Sequence, residues 1–272
     1  MNALWVIVIA GYAICVALAI FSLTARQQVP AKVALAPLLI AFIAHTVWLQ
    51  LRALQQGRSP LVGTEEVCAF LAWILVIASL IASRWFHVAA LKAFIYPIVL
   101  ILTMIAAITP GTDGKPSGLD SPLQRWLFPF HAGFILIAYC AFFIAFGAGL
   151  MYIIQERELK LKRFGTIFFK LPSLDTCDAI GSKAMAIGFA LFTFGMAAGI
   201  GWQRARDGQY WHGDPFEVFS VITWLIYLFL IQSRINTRWG GRAAALASIL
   251  SFMIVIVSLV GVRYLGSLHV SG

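Results

Sequence analysis

The sequence predicts an all-α fold, a polytopic membrane helix bundle of about eight transmembrane helices. Three observations carry that prediction. Hydrophobic residues make up 61% of the 272 and charged residues only 11%, against about a quarter charged in a soluble domain. Apolar runs longer than the ~18 residues needed to cross a hydrocarbon core recur along the whole chain. The 20 Lys and Arg residues fall between those runs or at their ends.

The runs lie near 3–24, 33–54, 66–83, 88–108, 128–154, 181–202, 216–233 and 243–265. The first has no basic region before it and no small-x-small cleavage site, so it reads as a retained span and not a signal peptide. No repeat of 20–50 residues stands out. Residues 1–272 therefore read as one membrane domain with no soluble domain.

The basic residues sort by side. One set of connections holds Arg26, Lys32, Arg84, Lys92, Arg157, Lys160, Lys162, Arg163, Lys170, Lys183, Arg234, Arg238 and Arg242. The other holds Arg52, Arg58, Lys115, Arg125, Arg204, Arg206 and Arg263, so the split is 13 to 7 and accounts for all 20. By the positive-inside bias the first set is cytoplasmic, which places both termini outside. The formal net charge of +9 is thus a topology signal and does not point to nucleic acid. Cys15, Cys68 and Cys140 fall in spans and Cys177 in a cytoplasmic connection, with no C-x-x-C. Neither a thiol-redox motif nor a zinc site is supported, and the cysteines read as small buried hydrophobes.

Three connections stand out. The cytoplasmic one, 155–183, interleaves Lys160, Lys162, Arg163 and Lys170 with Leu161, Phe164, Ile167, Phe168 and Leu171, a pattern suited to an anionic membrane surface. The outer 109-TPGTDGKPSGLDSPLQRW-126 is a loop by its turn residues. The outer segment 202–217 carries Trp202, Arg204, Arg206, Tyr210, Trp211 and His212. It ends in 214-DPFE-217, where Asp214 suits an N-cap, Pro215 the first helical position and Glu217 the third. Both acids also complement the positive end of the helix dipole.

The chain has five histidines. His131 sits at the outer end of span five, His269 beyond the outer end of span eight and His212 in the outer loop. His45 lies in the outer half of span two, and His87 is cytoplasmic. Haem chemistry wants such a set: imidazole nitrogens for the iron, flat aromatic surface from Trp202, Tyr210, Trp211 and Trp224, and cations for two propionates from Arg204, Arg206 or Arg263. Zinc is weaker, since no H-E-x-x-H or similar spacing occurs. No nucleophile motif supports a hydrolase. A channel or transporter fits the composition but leaves the outer histidines unexplained.

Several stretches resemble a known family. They are 57-GRSPLVGTEEVCAFLAW-73, 131-HAGFILIAYCAFFIAFGAGLMYIIQERELK-160, 171-LPSLDTCDAIGSKAMAIGF-189, 211-WHGDPFEVFSVITWLIYL-228 and the terminal His269. Together they resemble the cytochrome c assembly protein family, which includes CcsA/ResC-type haem-handling proteins and shorter HemX-type proteins. The fourth stretch resembles the core of that family's tryptophan-rich WWD domain. The resemblance implies haem b bound at the outer face, with His131 and His269 as its axial, metal-binding ligands. It implies a platform of Trp202, Trp211, Asp214, Pro215, Glu217 and Trp224; on the reading of the residues themselves, Arg204 and Arg206 supply charge and His45 and His212 are the competing ligands. It further implies presentation of haem to apocytochrome c, a ResB-like membrane subunit and a bacterial cytoplasmic membrane. The chain departs from the pattern at Arg58, where the family has a histidine, at Phe216, where it has a lysine, and in having fewer tryptophans. These departures keep a second reading open: a HemX-like regulator of tetrapyrrole biosynthesis acting on the level of glutamyl-tRNA reductase. Whether a holocytochrome c synthase activity is present stays open with it.

Overall fold

Eight helices follow one another along the chain: α1 (Asn2–Thr24), α2 (Ala31–Gln56), α3 (Thr64–Phe86), α4 (Ala89–Ile108), α5 (Pro122–Lys160), α6 (Leu174–Asp207), α7 (Pro215–Asn236) and α8 (Gly241–His269). The computed structural model describes residues 2–24, 30–57, 61, 63–86, 89–111, 122–162, 165, 168–236 and 240–269. Side chains are described for all of these except 2, 31, 32, 85, 86, 89, 122, 124 and 257–269. Among the described residues, α1 to α7 are each long and apolar enough to cross a bilayer, and α8 contributes the apolar stretch Gly241–Ile256. The protein is an all-α membrane protein, as its composition predicts. Cys15, Cys140 and Cys177 are buried and Cys68 is half-buried.

Two helices outrun the apolar segments that announced them. α5 has 39 residues and α6 has 34, about 58 and 51 Å at the rise of an α-helix, against a hydrocarbon core of about 30 Å. Their ends are built for water. Lys160 pairs with Glu156 at 2.7 Å across one helical turn, and Arg204 and Arg206 occupy the last turn of α6, where cations complement the dipole. The connection expected over 155–183 is therefore helical up to Lys160 and again from Leu174. The loop expected over 202–217 likewise begins as helix through Asp207.

The chain forms two compact units. The first comprises Met1–Ser117 and Gln155–Ser173. In it α1 packs on α2 and α4, and α3 on α4, around Tyr12, Trp48, Leu91 and Ile95. His45 is wholly buried here. Its Nδ1 lies 3.2 Å from the Tyr12 hydroxyl, beside the rings of Trp5 and Tyr12. At the α2–α3 junction Arg52 meets Glu65 at 3.1 Å and Glu66 at 3.5 Å, with all three side chains almost fully buried. Gly111 closes over this pair: a Cβ there would come within 2.4 Å of the Arg52 guanidinium.

The second unit comprises Gly118–Ile154 and Leu174–Gly272. Its core is Phe142, Met185, Phe192, Tyr227, Phe252 and Val255, with the Phe142 and Tyr227 rings stacked 3.6 Å apart. Gly188 makes room for Phe142, whose ring would lie 2.7 Å from any Cβ added there. Three polar pairs join α6 to α7. Arg234 meets Asp178 at 3.1 Å, Trp224 Nε1 donates to Thr193 Oγ1 at 3.0 Å, and Gln203 Nε2 donates to Glu217 Oε1 at 2.6 Å.

Candidate functional site

The site grows from the contact between α5 and α6. Near the start of α5, His131 packs against a stretch of α6 where two glycines lie one turn apart. Its Nδ1 lies 2.8 Å from the carbonyl oxygen of Gly195. A carbonyl only accepts, so Nδ1 carries the proton and donates. Among the described residues Nε2 has no hydrogen-bond partner. The ring sits against the backbone of Gly199, where a Cβ would approach Nδ1 to 2.5 Å.

One turn further along the same antiparallel contact, Phe128 of α5 meets Trp202 of α6 with ring centroids 5.4 Å apart. The steps from Phe128 to His131 and from Gly199 to Trp202 each rise about 4.5 Å. His131 and Trp202 are thus neighbours along one seam. Trp202 Nε1 is buried and has no acceptor among the described residues. One face of its indole is covered by the Arg206 guanidinium, 4.8 Å from the ring centroid.

The connection to α7 is a short, heavily bonded cap. Gly208 ends α6 at a φ of 82°, in the left-handed region where glycine carries no steric cost. The Arg204 guanidinium donates to the Gly208 carbonyl and lies over the Tyr210 ring at 4.9 Å. Asp214 is the N-cap of α7, its Oδ1 accepting the Glu217 N–H at 2.9 Å. Glu217 does not fold back to its own cap. Its Oε2 accepts the backbone N–H groups of His212 at 2.8 Å and Gly213 at 2.7 Å. A single carboxylate at a helix N-terminus therefore orders the last turn of the loop.

His212 is committed at both ring nitrogens, with Nε2 3.0 Å from Asp207 Oδ2 and Nδ1 3.3 Å from Glu217 Oε1. That leaves it no free nitrogen for a metal. Asp207 is also held by Arg206 at 2.9 Å. Trp211 and Tyr210 stand exposed on this cap.

The second unit thus gathers Trp202, Arg204, Arg206, Trp211, His212 and Asp214 at the α6–α7 end, with His131 just below Trp202. It does not bring Trp224 there. Trp224 is nine residues into α7, about 13 Å along the axis, where its indole donates to Thr193 and packs on Phe189. His45 belongs to the other unit. His269 ends α8, and its side chain lies outside the described residues, as does that of Arg263. His87 lies outside them entirely. Among the described residues no group of three or more His, Cys, Asp or Glu side chains could hold a metal ion. Gly195, Gly199, Gln203 and Asp207 are the members that composition and motif did not announce. The spacing of 195-GMAAG-199 carried a signal, since small residues four apart let membrane helices approach closely.

The donor set suits haem. Its iron takes an imidazole nitrogen, and an imidazole whose other nitrogen is tied to a backbone carbonyl is the usual form of a metal-binding histidine. His131 has that form. The unpaired buried indole N–H of Trp202 is a donor suited to a carboxylate.

Fold and site define a class: a polytopic helical membrane protein whose polar groups gather at helix ends around one oriented imidazole and an aromatic seam. The chain belongs to the cytochrome c assembly protein family, whose sequence model matches residues 61–269. It is similar to the cytochrome c biogenesis protein CcsA of Guillardia theta, 27% identical over 252 residues that cover 86% of this chain and 83% of the relative. The CcsA protein of Prochlorococcus marinus strain MIT 9303 is 27% identical over 260 residues, covering 86% and 82%. That of Synechococcus sp. strain CC9605 is 25% identical over 256 residues, covering 86% and 84%.

Proposed function

We propose that the protein handles haem in the maturation of c-type cytochromes, binding haem b through His131 and His269 for presentation to apocytochrome c. The observation that supports this most is the hydrogen bond from His131 Nδ1 to the Gly195 carbonyl. It fixes the tautomer and leaves Nε2 available to a metal.

When bound, haem supplies an iron with two axial positions, a flat apolar face and two carboxylates. His131 and His269 would hold the iron. Trp202 offers its N–H to a propionate, and Tyr210 and Trp211 offer aromatic surface at the rim. Arg204 and Arg206 are held in place by Gly208 and Asp207, so their charge is fixed near the site without a free guanidinium having to be ordered. In this reading the 13-to-7 charge bias puts the site on the outer face of a bacterial cytoplasmic membrane, with a ResB-like membrane subunit as a partner.

A visible spectrum of the detergent-purified protein, with pyridine haemochrome to identify the pigment, tests the proposal. Low-spin haem b is expected. Replacing His131 or His269 by Gly lowers haem retention, and added imidazole partly restores the spectrum. A His131→Gly/His269→Gly protein with wild-type haem content and spectrum would falsify the ligand assignment. A deletion strain separates the two cellular roles: loss of c-type cytochromes supports maturation, whereas an altered level of glutamyl-tRNA reductase supports the HemX-like reading.

A further inference from the structure

Gly199 and Gly195 do different work for His131. Gly195 supplies the carbonyl that takes the Nδ1 proton. Its own missing side chain makes room for Ile135, whose Cδ1 and backbone nitrogen would lie 2.8 and 3.2 Å from a Cβ. An alanine at 195 therefore presses on the α5 backbone. Gly199 is different. A Cβ there would lie 2.5, 2.8 and 3.4 Å from Nδ1, Cε1 and Cγ of His131, and all three nearest atoms belong to the imidazole.

The consequence follows from what is able to move. α5 is held by Ile135 in the Gly195 gap and by Phe142 in the Gly188 gap, one and three turns further along. The helix cannot withdraw without losing both fits. The imidazole turns on its own χ angles, so it is the group that gives way. A side chain at 199 therefore swings the ring off the Gly195 carbonyl while the helices stay packed.

We propose that Gly199 is a positioning residue for the iron-binding imidazole. By having no side chain, it lets the His131 ring lie against α6, with Nδ1–H on the Gly195 carbonyl and Nε2 left for the iron. This rests on the reading of His131 as a haem ligand, and it adds that α6 sets both the tautomer and the aim of that ligand. Loss of such a supporting contact typically weakens metal binding about 10–100-fold.

The test compares Gly199→Ala with Gly181→Ala, a glycine on the same helix where an added Cβ would meet Ala148 at an ordinary 3.7 Å. In haem-free protein with ¹⁵N-labelled histidine, the wild type and Gly181→Ala show His131 protonated at Nδ1, and Gly199→Ala loses that signature. In haem-loaded protein, Gly199→Ala retains haem about tenfold less well, and imidazole restores the spectrum as it does for His131→Gly. The double variant Gly199→Ala/His131→Gly, with imidazole, matches His131→Gly with imidazole, because a free imidazole is not aimed by α6. A double variant clearly worse than His131→Gly would show that Gly199 serves packing only, and would overturn the proposal. So would Gly199→Ala with wild-type tautomer and wild-type haem retention while His131→Gly has lost its haem. Wild-type haem in His131→Gly itself would instead overturn the ligand reading, and the role of Gly199 toward iron with it.

Discussion

His212 and Glu217 are joined twice: the backbone N–H of His212 donates to Oε2 at 2.8 Å, and its Nδ1 lies 3.3 Å from Oε1. The carboxylate thus holds both the main chain and the side chain of a loop residue five positions before it. It serves Gly213 and Gln203 as well.

Glu217→Gln keeps the shape of this group and removes its charge. Even with its amide oxygen turned to the two backbone N–H groups, Gln binds them less strongly than a carboxylate does, and its NH2 then faces the donors of Gln203 and His212. Amide exchange at His212 and Gly213 is expected to rise about tenfold, the equivalent of one hydrogen bond of roughly 1.4 kcal/mol. Unchanged protection at both amides would place the order of this loop elsewhere.

Asp214 separates capping from function. Asn and Ser cap a helix about as well as Asp, whereas Ala costs about 0.5–2 kcal/mol. Asp214→Asn and Asp214→Ser should therefore keep the stability of α7, and Asp214→Ala should lower the unfolding temperature in detergent. A folded Asp214→Asn protein with less bound haem would show that the carboxylate has a second role beyond the cap.

The remaining histidines make a sharp contrast with His131. His212→Ala and His45→Ala are each expected to keep the wild-type haem spectrum. One has both ring nitrogens on carboxylates, and the other is wholly buried against Tyr12. Loss of the spectrum in His45→Ala, with His131→Gly unaffected, would move the haem site to the first unit.

Arg52 tests the buried ion cluster. Removing the guanidinium leaves Glu65 and Glu66 buried beside one another without it. Breaking a buried pair from one side costs about 3–5 kcal/mol. Arg52→Ala should therefore unfold at a clearly lower temperature, and Arg52→Ala/Glu65→Gln should recover part of the loss. A single variant as stable as wild type would mean that the carboxylates take up protons or water at no cost.

The topology rests on charge and is open to a direct check. An alkaline phosphatase fused after Gly272 is expected to be active, because that enzyme works only outside the cytoplasm. Activity from a cytoplasm-only reporter at the same point would reverse the assignment of faces.

Much of the fold was legible because a membrane helix announces itself by uninterrupted apolar length, and all eight helices lie where the runs put them. Their ends were less so. Gln155 to Lys160 and Gln203 to Asp207 are polar, yet the chain has no reason to stop being helical there, since Glu, Arg and Lys are good helix formers. The start of α7 was readable residue by residue from Asp214 and Pro215, because capping is a local contact. Trp224 is close to the loop in sequence, but α7 carries it about 13 Å along the axis, to Thr193. The seat of His131 is a contact across 64 residues of sequence, and only the paired glycines of α6 hinted at it.

The three polar pairs between α6 and α7, at Asp178–Arg234, Thr193–Trp224 and Gln203–Glu217, fall at the base, middle and tip of one antiparallel hairpin. Pairs at three heights resist sliding and rolling of the two helices past one another, and so hold the tip that they carry in one shape. In the haem-handling reading, a flat ligand arriving there meets little of the ordering entropy that a floppy loop would impose.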